Sequence, residues 1–255
     1  LLHRVEFLLF RGLERWLAGF ESEQAARFGR GAGRVFHALS PRYRRIVRRN
    51  LRIVTAAEKP SAEALDELVL EVFRRAGANF VATLRTATLD LDTLNQITRA
   101  EGTEIVANRG PGKPGVALVM AHMGNWEATA RLFRTYVGEA DYGCIYRPLE
   151  NPLLDRMTQD RRAMDGCQLF SRKDGFHAPA ALLKNGGTLG ILADHKAGAR
   201  GVVFPFFGKL TTCSPLPALL AKRSRADLVA VSLVTERPGI WRIVLRLLER
   251  DHSIE

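Results

Sequence analysis

A chain of 255 residues that is 46% hydrophobic and 25% charged has enough apolar material to bury a full core, which excludes an intrinsically disordered protein. Its three cysteines, Cys144, Cys167 and Cys213, fall at no C-x-x-C or short Cys/His spacing, which excludes a disulfide framework or a zinc site and suits a reducing compartment. The net charge of +11 is uneven: residues 1–60 hold 13 Arg or Lys against 5 acids, a surplus of +8, leaving +3 for the other 195, and so local a positive field attracts an acidic partner.

The first segment, LLHRVEFLLFRGLERWLAGF, spaces Leu2, Val5, Leu9, Leu13, Trp16 and Phe20 three or four apart among charged residues, which predicts an amphipathic helix. Its uncharged runs, FLLF at residues 7–10 and WLAGF at 16–20, are far short of the roughly 20 apolar residues that span a bilayer. Such a helix either packs on its own domain or lies in a membrane interface. The following SPRYRRIVRRNLRI favours the interface, because a Ser-Pro helix start leads into Arg42, Arg44, Arg45, Arg48, Arg49 and Arg52. Residues 1–60 therefore read as a basic, helical, membrane-associating region and residues 61–255 as the core. No signal peptide is recognisable, and the chain begins at Leu rather than Met. Gly29, Gly31 and Gly33 follow no apolar strand, so they predict close helix packing or a bend rather than a phosphate-binding loop.

Helical periodicity continues to about residue 95, with Pro60-Ser61 and Glu63 marking one helix start. The period then changes. Short apolar runs at 115–121, 142–146, 188–193 and 227–234 alternate with helix-like segments near 125–136, 150–165, 177–185 and 215–224. Strands buried on both faces and alternating with helices predict an α/β fold with a mostly parallel central sheet flanked by helices. Residues 240–249 add an edge strand, and NRGPGKPG at 108–115 is a loop.

Chemistry-bearing residues recur where these strands end: His122 follows the first run, Arg147 the second and Asp194 the third. Open α/β sheets bind ligands beyond the carboxyl ends of their strands. In MAHMGNWE, Asn125 caps the next helix and Glu127 sits in its first turn, where the helix dipole favours the ionised carboxylate. From there Glu127 can reach back to one imidazole nitrogen of His122, fixing the tautomer and leaving the other nitrogen to take a proton from a hydroxyl. On spacing alone a second reading stands beside it, a strand-end histidine bonded locally with Glu127 in solvent. The sequence has no G-x-S-x-G, G-x-x-x-x-G-K-[ST], strand-borne G-x-G-x-x-G or H-E-x-x-H, which argues against a covalent serine, a nucleotide cradle and a zinc hydrolase.

Six blocks, SPRYRRIVRRNL, MAHMGNWE, YRPLENPLLDRM, LFSRKDG, LLKNGGTLGILADH and VVFPFFG, in that order and at these separations, resemble the lysophospholipid-acyltransferase-like enzymes of lipid A biosynthesis, the late lauroyl and myristoyl acyltransferases. The resemblance covers nearly the whole chain and implies a glycerol-phosphate acyltransferase-like fold. It also implies an enzyme on the cytoplasmic face of the inner membrane that moves a fatty acyl group from acyl carrier protein to a hydroxyl of an acylated glucosamine disaccharide. On that basis His122 is the general base and Glu127 its orienter, while Asn125, Arg147, Arg172 and Asp194 are substrate-binding groups. Lys173 adjoins Arg172 in the RKD block. No metal, cofactor or covalent acyl-enzyme is expected, and the partners are the carrier protein, an anionic lipid surface and a glycolipid acceptor. VVFPFFG and GNW are expected to wall an apolar acyl slot, with ordinary core as the competing reading for Trp126, Phe204, Phe206 and Phe207.

The sequence departs from the family at TTCSPLPALL, where Cys213 and Leu216 stand in place of a Thr and a Gly, so acyl length and acceptor do not carry over. Many members also begin with a longer hydrophobic anchor and continue past the equivalent of Glu255. Two alternatives stay open at this point. One is the same chemistry on another phospholipid or glycolipid acceptor or from acyl-CoA. The other is a non-catalytic basic protein that binds membrane or nucleic acid, although the basic region lacks the interleaved aromatic platforms that stack on bases.

Overall fold

A computed structural model describes residues 1–248; Glu249, the last residue of the expected 240–249 strand, and the end of the expected 61–255 core lie outside the described residues. Five helices lead the chain: α1 (Leu2–Ala18), α2 (Ser22–Leu39), α3 (Pro41–Val54), α4 (Ala62–Thr86) and α5 (Leu91–Gln96). After them come β1 (Thr98–Glu101), β2 (Val116–Met120), α6 (Thr129–Val137), β3 (Tyr142–Tyr146), α7 (Pro152–Ala163), β4 (Gln168–Ser171), α8 (His177–Lys184) and β5 (Thr188–Leu192). The remainder is a two-stranded ribbon of β6 (Val202–Phe206) and β7 (Lys209–Cys213), then α9 (Leu216–Ser224), β8 (Asp227–Arg237) and β9 (Ile240–Leu247).

The main sheet has the order β1-β9-β8-β2-β5-β3-β4. Five of its strands, β8, β2, β5, β3 and β4, run parallel; β9 turns back antiparallel to β8, and β1 pairs parallel with β9. The α/β architecture is the expected one, but β9 is not an edge strand. Thr98–Glu101 pairs along its outer side, so the edges are β1 and β4.

Alternation along β2 explains the two cores. Val116, Leu118 and Met120 face one way, into a cluster with Leu132 and Phe133 of α6, Val229 and Val231 of β8, and Ile243 of β9. Ala117 faces the other way, toward Leu182 and Leu183 of α8, Leu189 and Ile191 of β5, and Leu220 of α9. Near-continuous apolar strands follow from this double coverage, since each successive side chain meets a helix layer.

The long helix α4 is the strut between the leading helices and the sheet. Ser61 accepts the Ala64 N–H at 3.2 Å as its N-cap. Helices α2 and α4 touch backbone to backbone: a Cβ on Gly33 would stand 2.2 Å from the Phe73 carbonyl oxygen, and one on Gly77 would stand 2.2 Å from that of Gly29. Gly29 and Gly33 thus serve close helix packing, as their sequence context suggests, whereas Gly31 faces open space.

Across that contact Arg30 donates to both Glu71 oxygens at 2.9 and 2.8 Å. Those bonds, with a further one from Arg75, hold the Glu71 carboxyl at about 2 rather than 4.5. A depressed carboxylate stabilises the fold above its ordinary range and loses that contribution as pH falls toward 2. The pair is partly open to solvent, so the contribution is on the order of 1 kcal/mol rather than the full linkage value. Glu71→Gln should therefore lower the melting temperature by about 2–4 °C at neutral pH, by calorimetry, and the gap from the unaltered protein should narrow between pH 4.5 and 2.

Helix α1 divides in two. Its second half packs: Leu17 is fully buried with Ala25, Val81 and Leu84, and Glu14 is buried on Arg161 of α7. Its first half leaves Leu2, Leu8 and Leu9 about 70% exposed. On α3, Arg44 donates to the carbonyls of His37 and Ala38 at the end of α2, and Arg48 pairs with Asp66. Arg42, Arg45, Arg49 and Arg52 recur three or four apart on one exposed face and make no ion pair among the described residues. Among the described residues no helix is long and apolar enough to cross a membrane.

Candidate active site

Strands β2 and β5 are neighbours in register, with Met120 opposite Leu192. Two residues past that pair the chain places His122 beside Asp194, and the register makes their meeting close. Asp194 Oδ1 lies 2.7 Å from His122 Nδ1, and Asp194 Oδ2 accepts the backbone N–H of His122 at 2.9 Å. Partial burial pushes the Asp194 carboxyl up, but the two bonds from His122 outweigh it and hold the group below the usual carboxylate range. An ionised carboxylate only accepts, so the imidazole hydrogen belongs on Nδ1 and the lone pair on Nε2. His195 stacks on the imidazole at 4.3 Å between centroids and 6° between planes, and Trp126 meets it edge-on at 4.9 Å. The ring is thus fixed in three directions with Nε2 left unbonded.

The turn that carries His122 is built for this. Gly124 has φ 60°, and a Cβ there would stand 2.6 Å from the Leu233 carbonyl oxygen, so only glycine lets the turn pass β8. Asn125 precedes a 3-10 turn, Trp126–Ala128, but its side chain does not cap it as the sequence suggests. That side chain is buried: its amide donates to Thr86 at 2.8 Å and its oxygen accepts from Thr83 at 3.0 Å. Asn125 therefore ties the His122 turn to α4 and presents no polar atom to a ligand.

Glu127 does not take the place at the imidazole that its spacing suggests. Arg162 of α7 donates to both its oxygens, at 2.5 and 2.8 Å, and the guanidinium also lies 5.9 Å from the Trp126 ring centre. A forked, largely buried guanidinium engages both carboxylate oxygens at once and holds the carboxylate toward α7, while the Nδ1 of His122 is taken by Asp194. Arg147 and Arg172 are exposed where β3 and β4 end, and the Tyr146–Ser171 register makes them neighbours. One edge of the sheet thus collects His122, Asp194, Arg147 and Arg172, with Asn125 and Glu127 as supports behind them.

The sequence reading overlooked His195 and Arg162. A histidine directly after Asp194 was a signal of sorts, since it shares the strand end. Arg162, one of several arginines on a polar helix, carried none. His122, Asp194 and His195 bring three potential ligand atoms within 4.8 Å of one another, a spacing that a metal ion could use, although here the hydrogen bond and the ring stack already occupy two of the rings' faces and Nδ1. The aromatic block VVFPFFG is not core. It forms the β6–β7 ribbon, where Phe204, Phe206 and Phe207 are 60%, 61% and 54% exposed. Leu216, by contrast, packs against the α8–α9 core. A groove of about 380 Å³ lies beside Met123 and Gly124, bounded by Arg30 and Glu71 on one side and Leu233 on the other.

A parallel α/β sheet that offers, at its carboxyl edge, an imidazole held by a carboxylate on one nitrogen and free on the other has the apparatus of general-base chemistry on a hydroxyl. The chain belongs to the bacterial lipid A biosynthesis acyltransferase family, whose model matches residues 2–246. It is similar to a lipid A biosynthesis acyltransferase of Haemophilus influenzae, 28% identical over 190 residues, which are 73% of this chain and 58% of that one. It is likewise 28% identical over 205 residues to a lipid A biosynthesis lauroyltransferase of Escherichia coli K12, covering 80% of this chain and 65% of the relative. The chain thus spans roughly three-fifths of the length of these curated relatives.

Proposed function

We propose that this chain is an acyltransferase that moves a fatty acyl group from acyl carrier protein to a hydroxyl of a lipid A precursor, an acylated glucosamine disaccharide, at the cytoplasmic face of the inner membrane. The observation that supports it most is the Asp194-held imidazole with Nε2 free, in a chain of this family. Nε2 of His122 takes the proton of the acceptor hydroxyl while its oxygen attacks the thioester carbonyl. The tetrahedral adduct collapses by expelling the carrier's thiolate, which recovers the proton from the imidazolium. Asp194 steadies the positive ring between those steps. No side chain is acylated and no metal or cofactor takes part.

Arg147 and Arg172, exposed and adjacent, suit the phosphates of the acceptor or the carrier. The four unpaired arginines of α3 suit an anionic lipid surface. The test is mass spectrometry of a lipid A precursor and a lysophospholipid incubated together with the protein and a mixture of carrier-linked and CoA-linked acyl groups. One added acyl mass, drawn mainly from the carrier-linked pool, is the expected result. Addition from the CoA-linked pool alone would replace the donor, and acylation of a phospholipid but not the disaccharide would replace the acceptor.

A further inference from the structure

The β6–β7 ribbon has more apolar surface in water than anything else about it explains. Val202, Val203, Phe204, Phe206, Phe207 and Leu210 are each 54–77% exposed. Side chains alternate along a strand, so Val202, Phe204 and Phe206 point to one face of the ribbon and Val203 to the other, and among the described residues none covers either face. Singly scattered apolar residues are ordinary on a surface, whereas this is a contiguous patch. The tip adds to it. Phe207 and Gly208 form the two-residue turn with φ 48° and 69°, a left-handed pair usually built from Asn-Gly. An aromatic there is sterically disfavoured, and its effect is to put the Phe207 ring, packed edge-on against Phe206 at 4.7 Å, at the outermost point.

The ribbon's root is fixed beside the site. The Ala197 N–H bonds the Thr212 carbonyl at 3.1 Å, so the hairpin rises from the segment that directly follows Asp194 and His195. Exposed cations surround that edge: Lys196 before the root, and Arg147, Arg172 and Lys173 at the neighbouring strand ends, none of them in an ion pair among the described residues; Lys209, beside the tip, has a long apolar stem that lets its ammonium reach back toward the headgroups. Against these four, the exposed acids on the same loops are Glu150, Asp174 and Asp194, the last already bonded to His122. The exposed first half of α1 reaches the same edge, because Asn151, in the loop after β3, donates to the His3 carbonyl and to Glu6 at 2.9 Å each.

We infer that the β6–β7 hairpin is a membrane-inserting wedge: it enters the acyl region of an anionic bilayer while the cations around its root meet the headgroups, so that the carboxyl edge bearing His122 faces lipid. A folded protein partner would cover one face of the ribbon; lipid covers both, and the surrounding positive charge selects an anionic surface. This assignment concerns attachment and stands whether or not the acyl acceptor is a lipid A precursor, so its readout is partitioning rather than turnover.

The experiment uses the full chain with vesicles of phosphatidylcholine, with and without phosphatidylglycerol. The unaltered protein should float with the mixed vesicles and much less with phosphatidylcholine alone. Phe204→Ser/Phe207→Ser should weaken flotation at least about tenfold with an unchanged melting temperature, since both rings are exposed. In Phe207→Trp, acyl-brominated lipid should quench the added fluorescence above the background of Trp16, Trp126 and Trp241. Unchanged flotation of the double variant, or no added quenching in Phe207→Trp, would overturn the inference. So would an unaltered protein that is dimeric without lipid and becomes monomeric in the double variant, because the hairpin would then be covered by a second copy.

Discussion

In the proposed acyl transfer, Asp194→Asn should lower the rate constant by about 10²- to 10⁴-fold, the range typical of general-base help, and His122→Ala should do at least as much. The asparagine fills the same volume, so the loss comes from chemistry. A neutral amide can turn its NH₂ toward Nδ1, which stabilises the tautomer with the hydrogen on Nε2 and removes the lone pair that must receive the acceptor's proton. It also leaves the imidazolium without its counter-charge. KM for the acceptor should change little, because both Asp194 oxygens are already engaged by His122. Glu127→Gln costs less, within about tenfold, because it loosens Arg162 and through it Trp126, one step removed from Nε2. Steady-state rates of the three variants on one acceptor decide the matter. If Glu127→Gln falls as far as His122→Ala while Asp194→Asn stays near the unaltered rate, Glu127 rather than Asp194 orients the base.

That contrast shows which parts of this protein can be read from its sequence. His122, Arg147 and Asp194 fall at strand ends because apolar runs of a sheet covered on both faces are visible as composition, and the chain direction then gives the carboxyl edge. Which carboxylate meets the imidazole depends on β2 and β5 being adjacent and in register. That pairing joins residues 72 apart, and no local spacing encodes it, whereas Glu127, five residues away, looks nearer than it is. The strands β1 (TRAE) and β4 (QLFS) went unseen because four polar or mixed residues at a sheet edge carry neither an apolar run nor a clean alternation. Missing β1 is also what made β9 look like an edge. The exposed aromatic hairpin misled in the opposite direction: apolar side chains predict burial, and only the fold reveals that, among the described residues, no element buries them.

The largest change in stability should come from Glu14→Gln. The Glu14 carboxylate is 3% exposed and accepts from Arg161 at 2.5 and 2.9 Å and from Arg11 at 3.1 Å. Replacing one partner of a buried pair leaves the other charge uncompensated, which costs about 3–5 kcal/mol; Arg161 keeps some contact with water, so the lower end, about 3 kcal/mol, applies. At about 2–4 °C per kcal/mol for a chain of this size, the melting temperature should fall by about 6–12 °C. Glu14→Leu/Arg161→Leu removes both charges together and should recover most of the loss, which a mere packing defect at position 14 would not allow. The consequence reaches the face proposed to meet lipid. This ion pair holds the buried half of α1 on α7, and so fixes the direction in which Leu2, Leu8 and Leu9 are presented. If Glu14→Gln melts normally but α1 is cleaved faster by protease, the helix detaches locally without unfolding the rest, and the pair is then a latch for the exposed half of α1 rather than a support of the whole fold.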